Sequence, residues 1–138
     1  MYPPELVLPM EQELTSNGII AAKDPKSVED ALQQPGTTLV VVNSVCGCAA
    51  ANARPAVLLS LQSEAKPDRA ITVFAGVDRE ATAKAREYML PFPPSSPSIA
   101  LFKDGQLAYM LERHHIEGAS AQQISDHLVK AYKELAEL

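Results

Sequence analysis

Residues 38–45 read Thr-Leu-Val-Val-Val-Asn-Ser-Val and are apolar through the centre of the run. A half-buried strand alternates polar and apolar residues, whereas a short continuous apolar run is typical of a strand covered on both faces. Such a strand needs helices above and below a central sheet. The run therefore predicts an α/β fold and limits the chain to layered architectures.

Two helices are predicted before this strand. Apolar residues recur at helical spacing in residues 5–17. Because Pro9 falls inside this stretch, we expect regular helix only from that residue onward. Asp24-Pro25 is typical of a helix start, and Pro35-Gly36 marks the end of the second helix. Residues 1–36 are therefore predicted to be a helical extension of the core.

Downstream of residue 45 the pattern alternates between helices and strands. A helix is predicted to about residue 61, with a kink or break near Asn52 because of Pro55. A strand at 70–76 and a helix at 79–90 follow. The chain then continues with a strand at 98–103, a returning strand at 106–112 and a helix from Ser120. Asp104-Gly105 is a strong hairpin signal. Strands joined through helices should run parallel, and the hairpin adds an antiparallel edge.

This order predicts one domain, residues 1–138, with a thioredoxin-like core at 37–138. The expected architecture is a three-layer α/β sandwich. A central mixed sheet of four strands is covered by helices on both faces, and extra helices precede it at the N-terminus.

Composition excludes several classes of partner. The 12 basic and 17 acidic residues give a net charge of −5, and no basic cluster stands out, so nucleic acid is not an expected partner. No apolar run approaches the roughly 18 residues of a membrane span. The N-terminus lacks the features of a secretory signal, so we expect a cytoplasmic protein. Cysteines in the cytoplasm stay reduced. A close pair of cysteines in that compartment is therefore more often catalytic or metal-binding than a structural disulfide.

The chain has two cysteines, Cys46 and Cys48, directly after the apolar strand and before an alanine-rich helix. A helix N-terminus favours thiolate over thiol, so we expect Cys46 to be a nucleophile of lowered pKa that Cys48 resolves or tunes. A disulfide between positions i and i+2 is strained and easily reduced. Gly47 is expected to adopt the unusual backbone angles it needs. The pair is thus a poor general reductant, suited to isomerisation or to accepting a small thiol.

Other residues are candidates for contacting a substrate. Asn43 and Ser44 could hydrogen-bond the thiolate or a ligand, or only satisfy the end of the strand. Arg54, two turns after Cys46, could hold a substrate carboxylate or be a surface charge. The run at 91–97 is either a linker or one wall of a substrate-binding groove, and we favour the wall because the run leads directly into Pro97. The charged face of the helix at 79–87 needs no explanation beyond solvation.

Two interpretations without redox chemistry stay open. The cysteines could be small buried residues with no chemistry. They could also bind a metal, although two thiolates fall short of a zinc site and no further cysteine is present. His114 and His115 could complete such a site, but neighbours in an extended segment point to opposite faces. We therefore expect them to flank a turn before Ile116, and no metal is predicted.

The chain resembles the bacilliredoxin family over nearly its whole length. The residues that carry this resemblance are Pro9–Thr15, Thr38–Ala50, Ala53–Ala56, Thr72–Gly76, Ala81–Lys84, Pro94–Ser98 and Arg113-His114. The resemblance implies a thioredoxin-like fold, a Cys-Gly-Cys active site and removal of bacillithiol from S-bacillithiolated proteins. It implies no bound cofactor, with bacillithiol or another low-molecular-weight thiol as co-substrate, and weak disulfide isomerase activity.

The resemblance also implies roles for the residues at matching positions of this sequence. Cys46 corresponds to the attacking cysteine that takes up bacillithiol, and Cys48 to the second cysteine of the motif. Pro97 falls where thioredoxin-like proteins have a cis-proline, which implies that the backbone of Ser96 pairs with substrate. The strand at 39–45 carries no acid that could serve as a base for Cys48.

A disulfide isomerase and a metal-carrying or interaction module of thioredoxin-like shape are the alternative functions. The sequence leaves open whether the chain associates with itself.

Overall fold

A mixed five-stranded sheet forms the centre of the protein in a computed structural model, which describes residues 2–136. The strands are β1 (Ile20–Ala21), β2 (Thr37–Asn43), β3 (Arg69–Phe74), β4 (Ser98–Lys103) and β5 (Gln106–Leu111). The helices are α1 (Pro4–Thr15), α2 (Pro25–Leu32), α3 (Arg54–Ser60), α4 (Arg79–Tyr88), α5 (Arg113–Glu117) and α6 (Ala121–Ala136). Within residues 2–136, no helix has both the length and the hydropathy needed to cross a membrane.

The sheet order is β1-β3-β2-β4-β5, and two features of it differ from the expectation. The predicted number of strands, four, is wrong because β1 joins the sheet through two residue pairs with β3. A two-residue strand is too short to give a periodic signal. The expected parallel direction of β4 is also wrong. Ser98 pairs with Val42 at the carboxyl end of β2, because the segment after α4 returns the chain to that end, so β4 runs antiparallel to β2.

The central strand β2 is buried on both faces, as its sequence predicted. Leu39 and Val41 pack into one apolar cluster with residues of α3 and α6. Val40 and Val42 pack into a second cluster with residues of α2 and α4. Each fully buried Val or Leu contributes about 1.5–3 kcal/mol relative to an exposed one. This two-sided burial makes β2 the fixed element from which the following residues project, and it confirms the three-layer α/β sandwich.

The first helix is longer than the sequence predicted. Helix α1 begins at Pro4 and continues through Pro9, so the prediction that it starts at Pro9 is wrong. Val7 and Leu14 are buried on either side of the proline and hold both halves of the helix against the core. The predicted start of α2 is confirmed, since the Asp24 carboxylate accepts a 2.8 Å hydrogen bond from Ser27 N.

The helix after the cysteines is broken, as Pro55 predicted. One turn of π-helix, Ala49–Ala53, precedes α3, and Arg54 N donates to Ala49 O five residues back. Proline has no N–H to continue the ordinary ladder, so the backbone shifts register there. The break separates the turn that carries the cysteines from the straight part of the helix.

The predicted hairpin between β4 and β5 is confirmed. Asp104 and Gly105 both have positive φ, 50° and 79°, which suits the right-handed twist of the strands. A Cβ atom at residue 105 would lie 2.9 Å from Leu32 O. The turn therefore requires glycine at this position for both its backbone angle and its close approach to α2.

We expect Gly105→Ala to lower the free energy of unfolding by about 2–4 kcal/mol, because positive φ and the contact with Leu32 O act together. Gly18→Ala is the matched control, since Gly18 has φ +89° but a Cβ there would meet nothing within 4 Å. We expect this variant to lose only about 1–2 kcal/mol. Urea unfolding followed by circular dichroism measures both, and equal losses would contradict the prediction.

Candidate active site

Cys46 lies in an open cavity at the carboxyl end of β2. The cavity has a volume of about 340 Å³, and its wall includes Ser44, Arg86, Ser96 and Arg113. Six separate parts of the chain meet here: the N-terminus at Tyr2, the end of β2, the turn after β3, α4, the segment before β4 and the start of α5. The sulfur that follows the most buried strand is therefore open to a small partner molecule.

The two cysteine sulfurs are in contact. Cys46 Sγ lies 2.7 Å from Cys48 Sγ, and both residues are free thiols of intermediate exposure. The hydrogen bond from the Cys48 thiol lowers the pKa of Cys46, and backbone N–H groups of Cys48 and Ala49 and the charge of Arg113 act in the same direction. Burial, followed by the hydrogen bond and charge of Cys46, raises the pKa of Cys48. The pair thus favours the charge on Cys46 and the proton on Cys48.

The direction of the Cys46 pKa agrees with the expectation, but the main cause differs. The sequence argument relied on the helix N-terminus alone, whereas the neighbouring thiol is the largest contribution. The backbone N–H groups of Cys48 and Ala49 contribute less, although Ala49 N also donates to Cys46 O at 3.0 Å. The spacing of one residue between the cysteines matters because it brings the donor sulfur to the nucleophile.

Gly47 needs no unusual backbone angle while the two cysteines are free thiols. Its φ is not in the positive region that favours glycine, and a Cβ there would meet nothing within 4 Å. The dithiol form therefore does not require glycine at this position. Any such requirement belongs to the disulfide form, in which the backbone must adapt to a bond between positions 46 and 48.

Asn43 and Ser44 are buried beneath the cysteine turn and hydrogen-bonded within the protein. Asn43 Oδ1 accepts from Ser44 N at 2.9 Å, and Asn43 Nδ2 donates to Met10 O at 3.2 Å. Ser44 Oγ accepts from Cys46 N at 3.1 Å. Of the two, Ser44 lines the cavity, while Asn43 ties the strand end to α1.

Arg54 is also buried, with 3% of its surface exposed, and its guanidinium points toward α1. Its Nε donates to the Glu13 carboxylate. Its Nη1 donates to Asn43 Oδ1 at 2.9 Å and to Ser44 O at 3.1 Å. The expectation that Arg54 is a surface charge is therefore wrong. The alternative, a guanidinium that holds a substrate carboxylate, is not supported by its position, because it pairs with Glu13 and does not line the cavity of Cys46. Helical spacing alone gave no sign that a carboxylate from α1 would occupy this guanidinium.

Ser96 and Pro97 lie beside the cavity, and the peptide bond between them is cis, as the position of Pro97 implied. Pro97 is buried and Ser96 lines the cavity. Arg113 Nη1 donates to Ser96 O at 3.2 Å, and Arg113 N donates to Ser95 Oγ at 3.3 Å. The start of α5 therefore holds the segment before β4 against the site.

Two arginines of the cavity were not predicted as site residues. Arg113 was among the residues that carry the family resemblance but received no role. Arg86 was assigned to a solvated face of α4, which is wrong because its Nε is buried. No periodic signal distinguishes it from the solvated charges of that helix, because only the packing of the segment before β4 covers it.

The two histidines do not join the cysteines. His114 and His115 lie in the short helix α5 instead of flanking a turn, and their ring centroids are 4.0 Å apart. Together with Glu112 they place three ligand atoms within 4.8 Å of one another on the surface. His115 Nδ1 already accepts from Glu112 N at 3.0 Å and helps to cap the helix. The local structure accounts for this cluster as a helix cap.

A family model described as disulphide isomerase matches residues 2–136. A bacilliredoxin of Cytophaga hutchinsonii is 56% identical over 135 residues, which cover 98% of this chain and all of the relative. A bacilliredoxin of Halalkalibacterium halodurans is 50% identical over 137 residues, covering 99% of this chain and 95% of the relative.

Solved structures show the fold. The chain is similar to mitochondrial thioredoxin 3 from Saccharomyces cerevisiae in its oxidized form, with a TM-score of 0.61 at 20% identity. The alignment covers 89% of this chain and 99% of the thioredoxin. Thioredoxin O2 from Arabidopsis thaliana gives a TM-score of 0.56 at 14% identity, covering 85% and 96%. The predicted thioredoxin-like fold is confirmed.

We expect Cys48→Ala to slow alkylation of Cys46 by iodoacetamide about tenfold at neutral pH, because a charge-assisted hydrogen bond is lost. The lowered pKa of Cys46 lets the rate level off at lower pH than for an ordinary thiol, so losing the donor moves the midpoint upward. Cys48→Ser keeps a hydroxyl donor and should move it less. Mass spectrometry against pH measures both, and identical profiles for the two variants would exclude the donor role of Cys48.

We expect Arg54→Met to lower the free energy of unfolding by about 3 kcal/mol, because it removes the buried donor that joins Glu13, Asn43 and Ser44. Glu13→Gln should cost about 1 kcal/mol or less, since the Glu13 side chain is 38% exposed. Urea unfolding compares the two. A larger loss for Glu13→Gln than for Arg54→Met would show that the ion pair, and not the guanidinium's bonds to the strand end, stabilises the site.

Proposed function

Because the chain belongs to the bacilliredoxin family and is a thiol–disulfide oxidoreductase, we propose that it removes bacillithiol from S-bacillithiolated proteins through Cys46. The observation that carries this proposal is the position of Cys46, a thiol of lowered pKa in an open cavity of about 340 Å³. Sites of this size accept small molecules. The cavity therefore suits a low-molecular-weight thiol better than a folded surface.

In the first step the Cys46 thiolate attacks the bacillithiol sulfur of the mixed disulfide on the protein. The bond between that sulfur and the protein cysteine breaks, and the protein cysteine leaves as a thiolate. Cys46 then carries bacillithiol in a new mixed disulfide. The two disulfides exchange without net oxidation or reduction, so the step needs no further electron donor.

Bacillithiol leaves in a second step by one of two routes. Cys48 attacks the Cys46 sulfur, forms a Cys46–Cys48 disulfide and releases bacillithiol as a thiol, and that disulfide is then reduced by free thiols. Alternatively, a free thiol attacks the bacillithiol sulfur, which breaks its bond to Cys46, frees the Cys46 thiolate and leaves bacillithiol in a disulfide with that thiol. Burial is the largest cause of the raised pKa of Cys48, and burial persists when Cys46 is in a mixed disulfide. Few Cys48 thiolates therefore form at neutral pH. We propose that a free small thiol carries most of the turnover, and that Cys48 chiefly acts as donor to the Cys46 thiolate.

Disulfide isomerase activity is the second candidate, favoured by the description of the family model that matches residues 2–136. It uses the same Cys46 thiolate on a protein disulfide, which must enter the same cavity as an extended segment. A cytoplasmic location fits both candidates, because each requires thiols that stay reduced.

The test uses a protein with one S-bacillithiolated cysteine, followed by intact mass spectrometry. We expect the wild-type chain to free that cysteine and to gain a bacillithiol adduct on Cys46. Cys48→Ala should keep the adduct until free thiol is added, and Cys46→Ser should not free the substrate. Cys48→Ser is the matched control for loss of the second sulfur with its hydrogen bond kept.

The alternatives give different results in the same series. An adduct on Cys48 instead of Cys46 would overturn the assigned order of attack. Faster rearrangement of a protein with scrambled disulfides than release of bacillithiol would favour the isomerase. Stoichiometric zinc in protein purified under reducing conditions would favour a metal-carrying module.

A further inference from the structure

Two guanidinium groups line the cavity that holds Cys46, and no carboxylate is among its lining residues in the described part of the chain. We propose that Arg86 and Arg113 form an anion-binding subsite beside Cys46 that selects low-molecular-weight thiols carrying a carboxylate. This inference rests on the proposed function, because it names the chemical class of the thiol that Cys46 accepts.

Arg86 brings a buried donor without a partner. Its Nε is buried and makes no hydrogen bond in the structure, and its Nη2 donates to Ser95 O at a long 3.4 Å. Burial holds the pKa of Arg86 below its usual range, which shows that its charge is poorly compensated. A buried charged donor left unpaired is costly, and a ligand carboxylate is the group that satisfies a guanidinium with the best geometry.

Arg113, at the start of α5, supplies the second charge of the cavity. Its Nε pairs with Glu117, and its Nη1 donates to Ser96 O. A guanidinium has five N–H donors, so these bonds orient Arg113 and leave donors for a ligand. Its side chain is 46% exposed, and the Cys46 and Cys48 sulfurs act on its charge. Arg113 is thus fixed near the nucleophile yet open to the cavity.

The charges at the site change during the reaction. In the resting state the Cys46 thiolate offsets part of the positive charge of Arg113. When Cys46 forms a mixed disulfide its sulfur becomes neutral, and the cavity loses one negative charge. Glu87, the next acid on α4, bonds to Lys84, and Glu117 already faces Arg113. A carboxylate on the accepted thiol replaces the charge that Cys46 gives up.

The experiment uses three 2-pyridyl mixed disulfides that share one leaving group and differ only in charge. They carry 3-mercaptopropionate, 2-mercaptoethanol or cysteamine, and are anionic, neutral and cationic. In each, the Cys46 thiolate attacks the aliphatic sulfur and pyridine-2-thione leaves, so its absorbance reports the rate. The readout is the ratio of anionic to neutral rate, in which changes in Cys46 pKa cancel.

We expect the anionic probe to react fastest and the cationic probe slowest. Arg113→Gln should lower the anionic-to-neutral ratio about tenfold, and Arg86→Gln should lower it similarly, with circular dichroism checking that each variant keeps the wild-type fold. Arg79→Gln is the matched control, because Arg79 is exposed on the same helix α4 and lines a neighbouring cavity that it shares with Arg86, but not the cavity of Cys46. This variant should keep the wild-type ratio.

The outcomes separate the subsite from the underlying reaction. Equal ratios in wild type, Arg86→Gln and Arg113→Gln, with all probes reacting at Cys46, would overturn the subsite and leave the proposed function standing. A fall in the ratio with Arg79→Gln equal to that with Arg86→Gln would mean that only general surface charge acts, and would also overturn it. No adduct on Cys46 from any probe would overturn the proposed function itself.

Discussion

The buried guanidinium of Arg54 holds together the parts on which the site depends. It bonds to Glu13 of α1, to Asn43 at the end of β2 and to the backbone of Ser44. Ser44 in turn accepts from Cys46 N. A buried charge with several hydrogen-bond partners fixes the positions of those partners more than it adds to the free energy of unfolding. The N-terminal helix is therefore a structural support of the cysteine turn, connected to it through one side chain.

The chemistry of the site follows from a difference in acidity between two neighbouring thiols. Cys46 and Cys48 are two residues apart, yet their pKa values move in opposite directions. Coupled groups in contact cannot both ionise easily, so one holds the charge while the other holds the proton. Burial is the largest cause of the raised pKa of Cys48, whereas at Cys46 the hydrogen bond from Cys48 outweighs burial. The backbone N–H groups of the turn and Arg113 then support the thiolate.

Local signals predicted much of this structure, and tertiary contacts account for the rest. The apolar run of β2, the Asp24 cap, the break at Pro55 and the Asp104-Gly105 turn each act through neighbouring residues, and all were confirmed. β1 was missed because two residues become a strand only beside β3. The surroundings of Arg54 and Arg86 were wrong for the same reason, since an arginine on a helix looks the same whether a distant segment covers it or not.

The short strand β1 has a consequence for the chain in crowded solution. It forms only two pairs, Ile20 with Ile71 and Ala21 with Thr72, and it ends the sheet on that side. A long flat edge offers a row of open amide groups on which another copy of the chain can assemble, and short edge strands are one way that proteins avoid this. Two residues form too brief a template for fibril-like growth, so β1 gives another copy of the chain little to pair with at this edge.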